Sequence, residues 1–249
     1  MLTSRGFRML SVFSRDVTIN YMEKANKVGT LYIVATPIGN PKDITLRALD
    51  ILKKVDAVIC EEYRQGARLL HKIGVENNLL TLNEHNEVQE AINILKRIQN
   101  GQTMALISDA GTPVFADPGG HLLRLIFHHN IPVSSIPGPS SLMTALSLCD
   151  FPIDQFYFAG FPPRKSPDRE TFLSQLKSIT DPIVLMDTPY RLTKLLSEVQ
   201  HIFGGNQDIL LACDLTLRKE AIFRGMVKNV LELVTGQKRE FILILNRNR

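Results

Sequence analysis

Three short stretches of the chain hold the residue types that could do chemistry. The first, Ser108-Asp109-Ala110-Gly111-Thr112-Pro113, follows the apolar run Met104-Ala105-Leu106-Ile107. A run of that length and those bounds reads as a buried strand, and Gly111 and Pro113 force a turn after it. The Asp109 carboxylate would therefore stand at the carboxyl end of a strand, where open α/β sheets place their ligands. Ionised, it only accepts hydrogen bonds, which suits ribose hydroxyls or an amino group; capping the next helix is its rival role. The second stretch, Pro137-Gly138-Pro139-Ser140-Ser141, leads into a helix. Its first amides and serine hydroxyls could hold a carboxylate or phosphate, or simply cap the helix. The third, Thr36-Pro37-Ile38-Gly39-Asn40-Pro41, is neither GxGxxG nor a GK[ST] phosphate loop. It gives no dinucleotide or nucleoside-triphosphate grip and, alone, reads as a rigid turn.

These loops need elements to position them. From Thr30 onward strand-like and helix-like patterns alternate. Strands are predicted at 30–36, 57–62, 79–82, 104–107 and 133–136, and helices behind an Asp43 cap, at 64–72, through Val88, Ala91, Ile92, Leu95 and Ile98, and at 119–130 and 140–148. Five such units imply a parallel five-stranded sheet with helices on both faces. The pattern changes at Cys149 to Gln155. Beyond it strands are expected at 156–159, 183–187, 209–214, 220–223 and 241–245, with helices at about 168–178, 189–203 and 226–235. Two strands joined through Leu215 to Lys219 without a helix imply an antiparallel pair and a mixed sheet. The expectation is thus two α/β domains, 29–149 and 150–249, with the active cleft between them. Residues 1–28 are expected to form a disordered extension, or to reflect a start codon placed too early.

Composition narrows the class. The chain has 249 residues, 44% of them hydrophobic, enough for a substantial core, and a formal net charge of only +4. No segment is a polybasic arm, so contact with nucleic acid would need a local patch. Cys60, Cys149 and Cys213 are lone thiols in mostly apolar surroundings, which favours reduced core cysteines over disulfides or a metal site and makes the cytoplasm the default compartment. The uncharged run Ile131 to Cys149 approaches the length of a membrane span, but three prolines, a glycine and several serines break it, and no membrane contact is expected.

Together, TLYIVATPIGNPKDITLRAL, LNEHNE, ALISDAGTPVFADPG, IPGPSSLMTAL and FAGFPPRKS resemble the tetrapyrrole methylase superfamily of S-adenosylmethionine-dependent methyltransferases. Within it they are most similar to the small-subunit ribosomal RNA methyltransferase I group, which methylates a cytidine ribose 2′ oxygen. The similarity covers roughly residues 29 to 245. It implies an enzyme with the cofactor S-adenosylmethionine in the interdomain cleft, no metal, a homodimer, and small-subunit ribosomal RNA or the assembled subunit as partner. It further implies that Pro37, Asp109, Ala110, Gly111, Ser140 and Ser141, with Met186 and Ala212 from the second domain, line the cofactor pocket. The rival readings are a tetrapyrrole-methylase-like enzyme acting on a small molecule or another RNA, and a cofactor-binding paralogue without catalysis.

Methylating a hydroxyl calls for positioning and for a base. Glu61, Glu62 and Asp187 are the available carboxylates. Alternation along a strand puts Glu61 and Glu62 on opposite faces, so one of them looks into the cleft; Glu62 is the first choice, with Asp187 beside it. Each has a salt-bridge or capping role as its alternative. Arg64, Arg164, Lys165 and Arg169 could contact phosphates, Arg164 and Lys165 from a proline-rich loop beside Phe161. His85 could touch substrate or merely precede a helix, and His128-His129 suit a helix carboxyl end. The acceptor side departs from the group's pattern: Glu61-Glu62-Tyr63-Arg64 stands for E-D-T-R, Met186-Asp187-Thr188-Pro189-Tyr190-Arg191 for Y-E-S-P-x-R, and Cys213-Asp214-Leu215-Thr216-Leu217 for R-E-L-T-K.

Overall fold

The computed structural model describes residues 28–115 and 117–247, so the expected N-terminal extension lies, except for Val28, outside the described residues. The first half alternates without exception: β1 (Leu31–Val34), α1 (Leu46–Lys54), β2 (Ala57–Cys60), α2 (Tyr63–Lys72), β3 (Leu79–Thr81), α3 (Glu87–Gln99), β4 (Met104–Ile107), α4 (Gly120–His128), β5 (Val133–Ile136) and α5 (Ser141–Leu146). The strands pair in parallel in the order β3-β2-β4-β1-β5. Burial on both faces explains why β2 and β4 are apolar at every position: all four residues of each are buried. One face packs Ile59, Leu106, Ile94, Ile98 and Leu122, the other Val58, Ala105, Ile107, Leu52 and Leu70.

Helix boundaries follow local capping. The first cap is Thr45, whose hydroxyl accepts from the Ala48 amide at 3.1 Å, and not Asp43, which ends a short 3-10 turn. Glu87, at the start of α3, accepts from the Gly119 and His121 amides at 3.0 and 2.8 Å and so caps α4 from a neighbouring helix. Gly74, at φ +68°, ends α2 as its sequence position predicts.

The second half contains β6 (Tyr157–Gly160), α6 (Ser166–Gln175), β7 (Ile183–Asp187), α7 (Leu192–Phe203), β8 (Asp208–Cys213), β9 (Ala221–Met226), α8 (Val227–Val234) and β10 (Phe241–Leu245). The order is β6-β7-β10-β8-β9, with β6 and β7 parallel and the other pairs antiparallel. The α/β class, the parallel first sheet and the mixed second sheet are as the sequence patterns predict. One face of the second sheet is covered by α6, α7 and α8 through Leu173, Leu195, Val199, Val227 and Val230. The other packs Val184, Leu210, Ala212, Ile242 and Ile244 against Ala145 and Leu146 of α5, with Ile38 and Leu142 at its margin. That shared cluster joins the two sheets.

Candidate active site

In the first sheet the chain runs from β1 toward β2 and β3 on one side and reaches β5 on the other. The crevice outside the carboxyl ends of β1 and β4 is therefore the switch point where such sheets bind ligands. The loops after those two strands are tied together there. Thr36 and Gly111 exchange backbone hydrogen bonds of 2.9 and 3.1 Å, and the buried Thr36 hydroxyl donates to the Ser108 carbonyl at 3.0 Å. Gly111 sits at φ +85°, a conformation its lack of a Cβ makes cheap.

Gly39 explains the TPIGN loop. A Cβ there would lie 2.7 Å from the Thr216 hydroxyl and 2.8 Å from the Leu215 carbonyl, both on the connection after β8. Thr216 holds a left-handed φ of +65°, strained for a β-branched residue, and its hydroxyl accepts from the Asn40 amide at 3.0 Å. The loop is thus the clasp by which the first half meets the second.

Two cavities lie along this contact. The first, about 380 Å³, is lined by Ile38, Ala110, Ser141, Met186, Ala212 and Ile242, with Asp214 and Glu240 supplying carboxylates. The second, about 330 Å³, is lined by Gly111, Phe115, Asp117, Ser140, Met143 and Phe161 among others. Ala110, Ser141 and Met186 line both, so the two share a wall. Each volume falls in the range of small-molecule sites.

Of the residues assigned to the cofactor from sequence, Ala110, Gly111, Ser140, Ser141, Met186 and Ala212 line one or both cavities. Pro37 is buried within the clasp loop and lines neither cavity, and Asp109 is exposed next to Ala110. Ser140 also caps α5, accepting from the Met143 amide at 3.4 Å. Partial desolvation by the surrounding protein first, and then the carboxylates of Asp117 and Glu62, push the Asp109 carboxyl above its ordinary value, while a hydrogen bond from the Glu62 backbone works against them. Glu61, half-buried, is raised in the same way by burial and then by Asp109, Asp117, Glu84 and Glu62. Burial also lifts Glu240, with Asp214 adding to it and Lys219 opposing.

The remaining sequence candidates divide. Glu62 is exposed at the start of α2 and belongs to this group of acids. Asp187 does not. Its buried carboxylate accepts from Arg169 at 2.8 Å and from the Thr188 amide at 2.7 Å and forms an ion pair with Arg191 at 2.5 Å, so both oxygens are engaged. Arg169 also pairs with Glu198 and donates to the Pro163 carbonyl at 3.3 Å. Arg169, considered for phosphate contact, is fully buried in this network instead. Arg64, Arg164 and Lys165 are exposed, the last two on the loop between β6 and α6. His85 is exposed in the turn before α3, its amide donating to the Asn83 side chain at 3.1 Å.

Phe115, Asp117 and Met143 had no sequence signal beyond lying in quoted motifs. Ile38, Asp214 and Glu240 become visible only when the two halves are brought together.

A sequence profile of the tetrapyrrole (corrin/porphyrin) methylases matches residues 30–231. The chain is 38% identical over 228 residues to the ribosomal RNA small subunit methyltransferase I of Escherichia coli O157:H7, covering 90% of this chain and 80% of that one. It is 40% identical over 194 residues to the protein of the same name from Pseudomonas aeruginosa, covering 78% and 69%. Among solved structures it resembles the uroporphyrin-III C-methyltransferase of Thermus thermophilus, with TM-score 0.60 and 20% identity over 88% of this chain and 94% of that one. At that identity the likeness concerns the fold.

Proposed function

The chain belongs to the tetrapyrrole methylase family, and from that premise we propose that it methylates a cytidine ribose 2′ oxygen in small-subunit ribosomal RNA. It is an S-adenosylmethionine-dependent methyltransferase whose substrate is ribosomal RNA. The observation that carries the finer reading is the meeting of the TPIGN, SDAGTP and PGPSS loops at one switch-point crevice, in a chain so similar to small-subunit enzymes.

The first cavity fits the cofactor by its chemistry. Its walls are largely apolar, as an adenine ring requires, and Glu240 suits a ligand that carries an amino group and a sulfonium charge, while Asp214 is already paired with Lys219 and Arg239. Ile38, Ala110, Ser141, Met186, Ala212 and Ile242 would hold it. When bound, it supplies an electrophilic methyl group. The second cavity shares a wall with the first and is the place for the acceptor, so the two reactants meet by being held, which is worth up to about 7 to 11 kcal/mol for well-oriented groups.

The hydroxyl proton goes to the acids at the carboxyl ends of β2 and β4. Glu61, Glu62 and Asp109 repel one another there, and a carboxyl raised toward neutrality is the better general base. Asp187 positions rather than reacts: with Arg169 and Arg191 it fixes the turn after Met186. The one-methylene shortening from the group's usual Glu is accommodated, since both arginines still reach it. Arg64, Arg164, Lys165 and His85 are assigned to RNA, the three cations through phosphates.

Residues 29–149 and 150–249 are taken as the two domains. The protein is placed in the cytoplasm as a homodimer. Supporting the placement, Cys60 and Cys213 are buried free thiols, as a reducing compartment keeps them. Burial pushes the two thiol pKa values up to about 11 and 12, and no helix among the described residues is long and apolar enough to cross a membrane. The test of the reaction is to incubate the purified protein with methyl-labelled cofactor and small subunits from a strain lacking the gene, then digest the RNA to nucleosides. Label in 2′-O-methylcytidine is expected. Label confined to another nucleoside, or none where a relative labels the same subunits, would refute the assignment.

A further inference from the structure

We propose that the second cavity receives a single nucleobase turned out of the RNA, stacked against the rings of Phe115 and Phe161. This rests on the ribosomal RNA reading above and names how that substrate is held.

The two cavities differ in the residues that line them. The first is lined in part by strand residues that are almost wholly buried: Ala212 at 0% exposure, Ile242 at 2%, Phe241 at 6%. The second opens between Phe115, Met143 and Phe161, which are 55%, 59% and 48% exposed. Three large apolar side chains around one mouth are an unpaired surface. A polymer can present one residue there while the rest of it stays outside.

The backbone goes out of its way to present both rings. Phe115 follows Val114, a β-branched residue held at φ +70°, the kind of outlier that persists where a functional geometry demands it. The Phe115 ring then rests on Phe158 at 4.8 Å between centroids, which fixes its plane before any ligand arrives. Phe161 follows Gly160, at φ +71°, where the register of β6 against β7 slips by one residue between Phe158 and Gly160. Such a bulge re-aims the next side chain, here to the cavity. Two unrelated irregularities, one in each half of the chain, thus deliver an aromatic ring to one mouth.

Every base has a π-face, and unstacked bases dock on aromatic side chains in RNA recognition. Enzymes that act on bases take the target nucleotide out of the stack, and a nucleotide extruded in that way brings its ribose with it. Arg164 and Lys165, exposed three and four residues after Phe161, stand where the flanking phosphates would pass. The shared wall of Ala110, Ser141 and Met186 places the extruded nucleotide beside the first cavity.

The test compares Phe115→Ala, Phe161→Ala and Phe161→Tyr with Phe127→Ala, an exposed phenylalanine on α4 that lines neither cavity. Methylation of methyl-deficient small subunits gives kcat and KM, and calorimetry gives affinity for S-adenosylmethionine. Each alanine at the mouth is expected to lower kcat/KM by about 5- to 150-fold, the range for one base on one ring. The tyrosine should restore it to within a few-fold, and cofactor affinity and Phe127→Ala should match the parent. Alanine variants that methylate normally would overturn the proposal. So would variants that lose cofactor affinity while keeping their melting temperature, because the mouth would then belong to the cofactor. An unmodified protein that binds the cofactor yet labels no ribosomal RNA would instead bring down the parent reading, a result the variants cannot mimic.

Discussion

Glu61 and Asp109 show what a residue's type does not reveal. The strand-end position of both was legible, because an apolar run stopping at an acid is a local pattern. Their mutual repulsion was not, since it depends on β2 and β4 being neighbours, and on Asp117 and Glu84 closing in from other segments. For both acids the folded-state value lies above the unfolded one. The folded state therefore binds more protons, and their contribution to stability, full below about pH 4, is lost as pH rises through the raised values. Asp109→Asn removes one of these charges and relieves Glu61. Urea midpoints measured from pH 4 to 7 should fall less steeply for the variant than for the parent. If Glu61 accepts the hydroxyl proton, the acid limb of kcat/KM should also move to lower pH in Asp109→Asn. A limb that stays in place would take Glu61 out of the proton path. Asp187 illustrates the opposite case: sequence could see a carboxylate at a strand end but not Arg169, eighteen residues earlier, buried beside it.

At the scale of elements, periodicity found every strand of both sheets, with ends displaced by up to three residues, as at Ala221–Met226, while a cap set the start of the first helix at Thr45. The clasp was hidden. TPIGN reads as a tight turn, and nothing local to it says that Gly39 exists for contact with Thr216. Gly39→Ala should therefore cost about 1 to 3 kcal/mol by overpacking, where a glycine needed only for its own turn would tolerate alanine. Because the clasp borders the first cavity, cofactor affinity measured by calorimetry should fall with it. The α6–β7–α7 network carries a larger penalty. Asp187→Ala takes from Arg169, at 0% exposure, its partner at 2.8 Å and leaves it Glu198 alone, and should destabilise by at most about 3 to 5 kcal/mol in chemical denaturation. Asp187→Glu, which restores the longer carboxylate of the Y-E-S-P-x-R pattern that the sequence resembles, should recover most of that loss. Failure to do so would mean that the local backbone has adapted to the shorter side chain.

Across the whole molecule, the surface that makes the site is also the surface that joins the halves. Ala145 and Leu146 of α5 share a cluster with Val184, Leu210, Ala212, Ile242 and Ile244 of the second sheet. Ala212 and Ile242 also form a wall of the first cavity, across from Ile38 and Ala110 of the first half. Sequence periodicity could place each of these residues in an element but not on a common boundary, because a face is assigned only when its partner is known. One consequence concerns cooperativity. A ligand held by both halves and bound only in the folded state stabilises by about 2.7 kcal/mol at 100 times its Kd. For a chain of this size that raises the melting temperature by about 5 to 10 °C. Since the ligand needs both walls, the rise should appear in a single calorimetric transition. Two transitions, of which only one responds to S-adenosylmethionine, would mean that one half holds the cofactor unaided and that the shared cluster contributes little to the site.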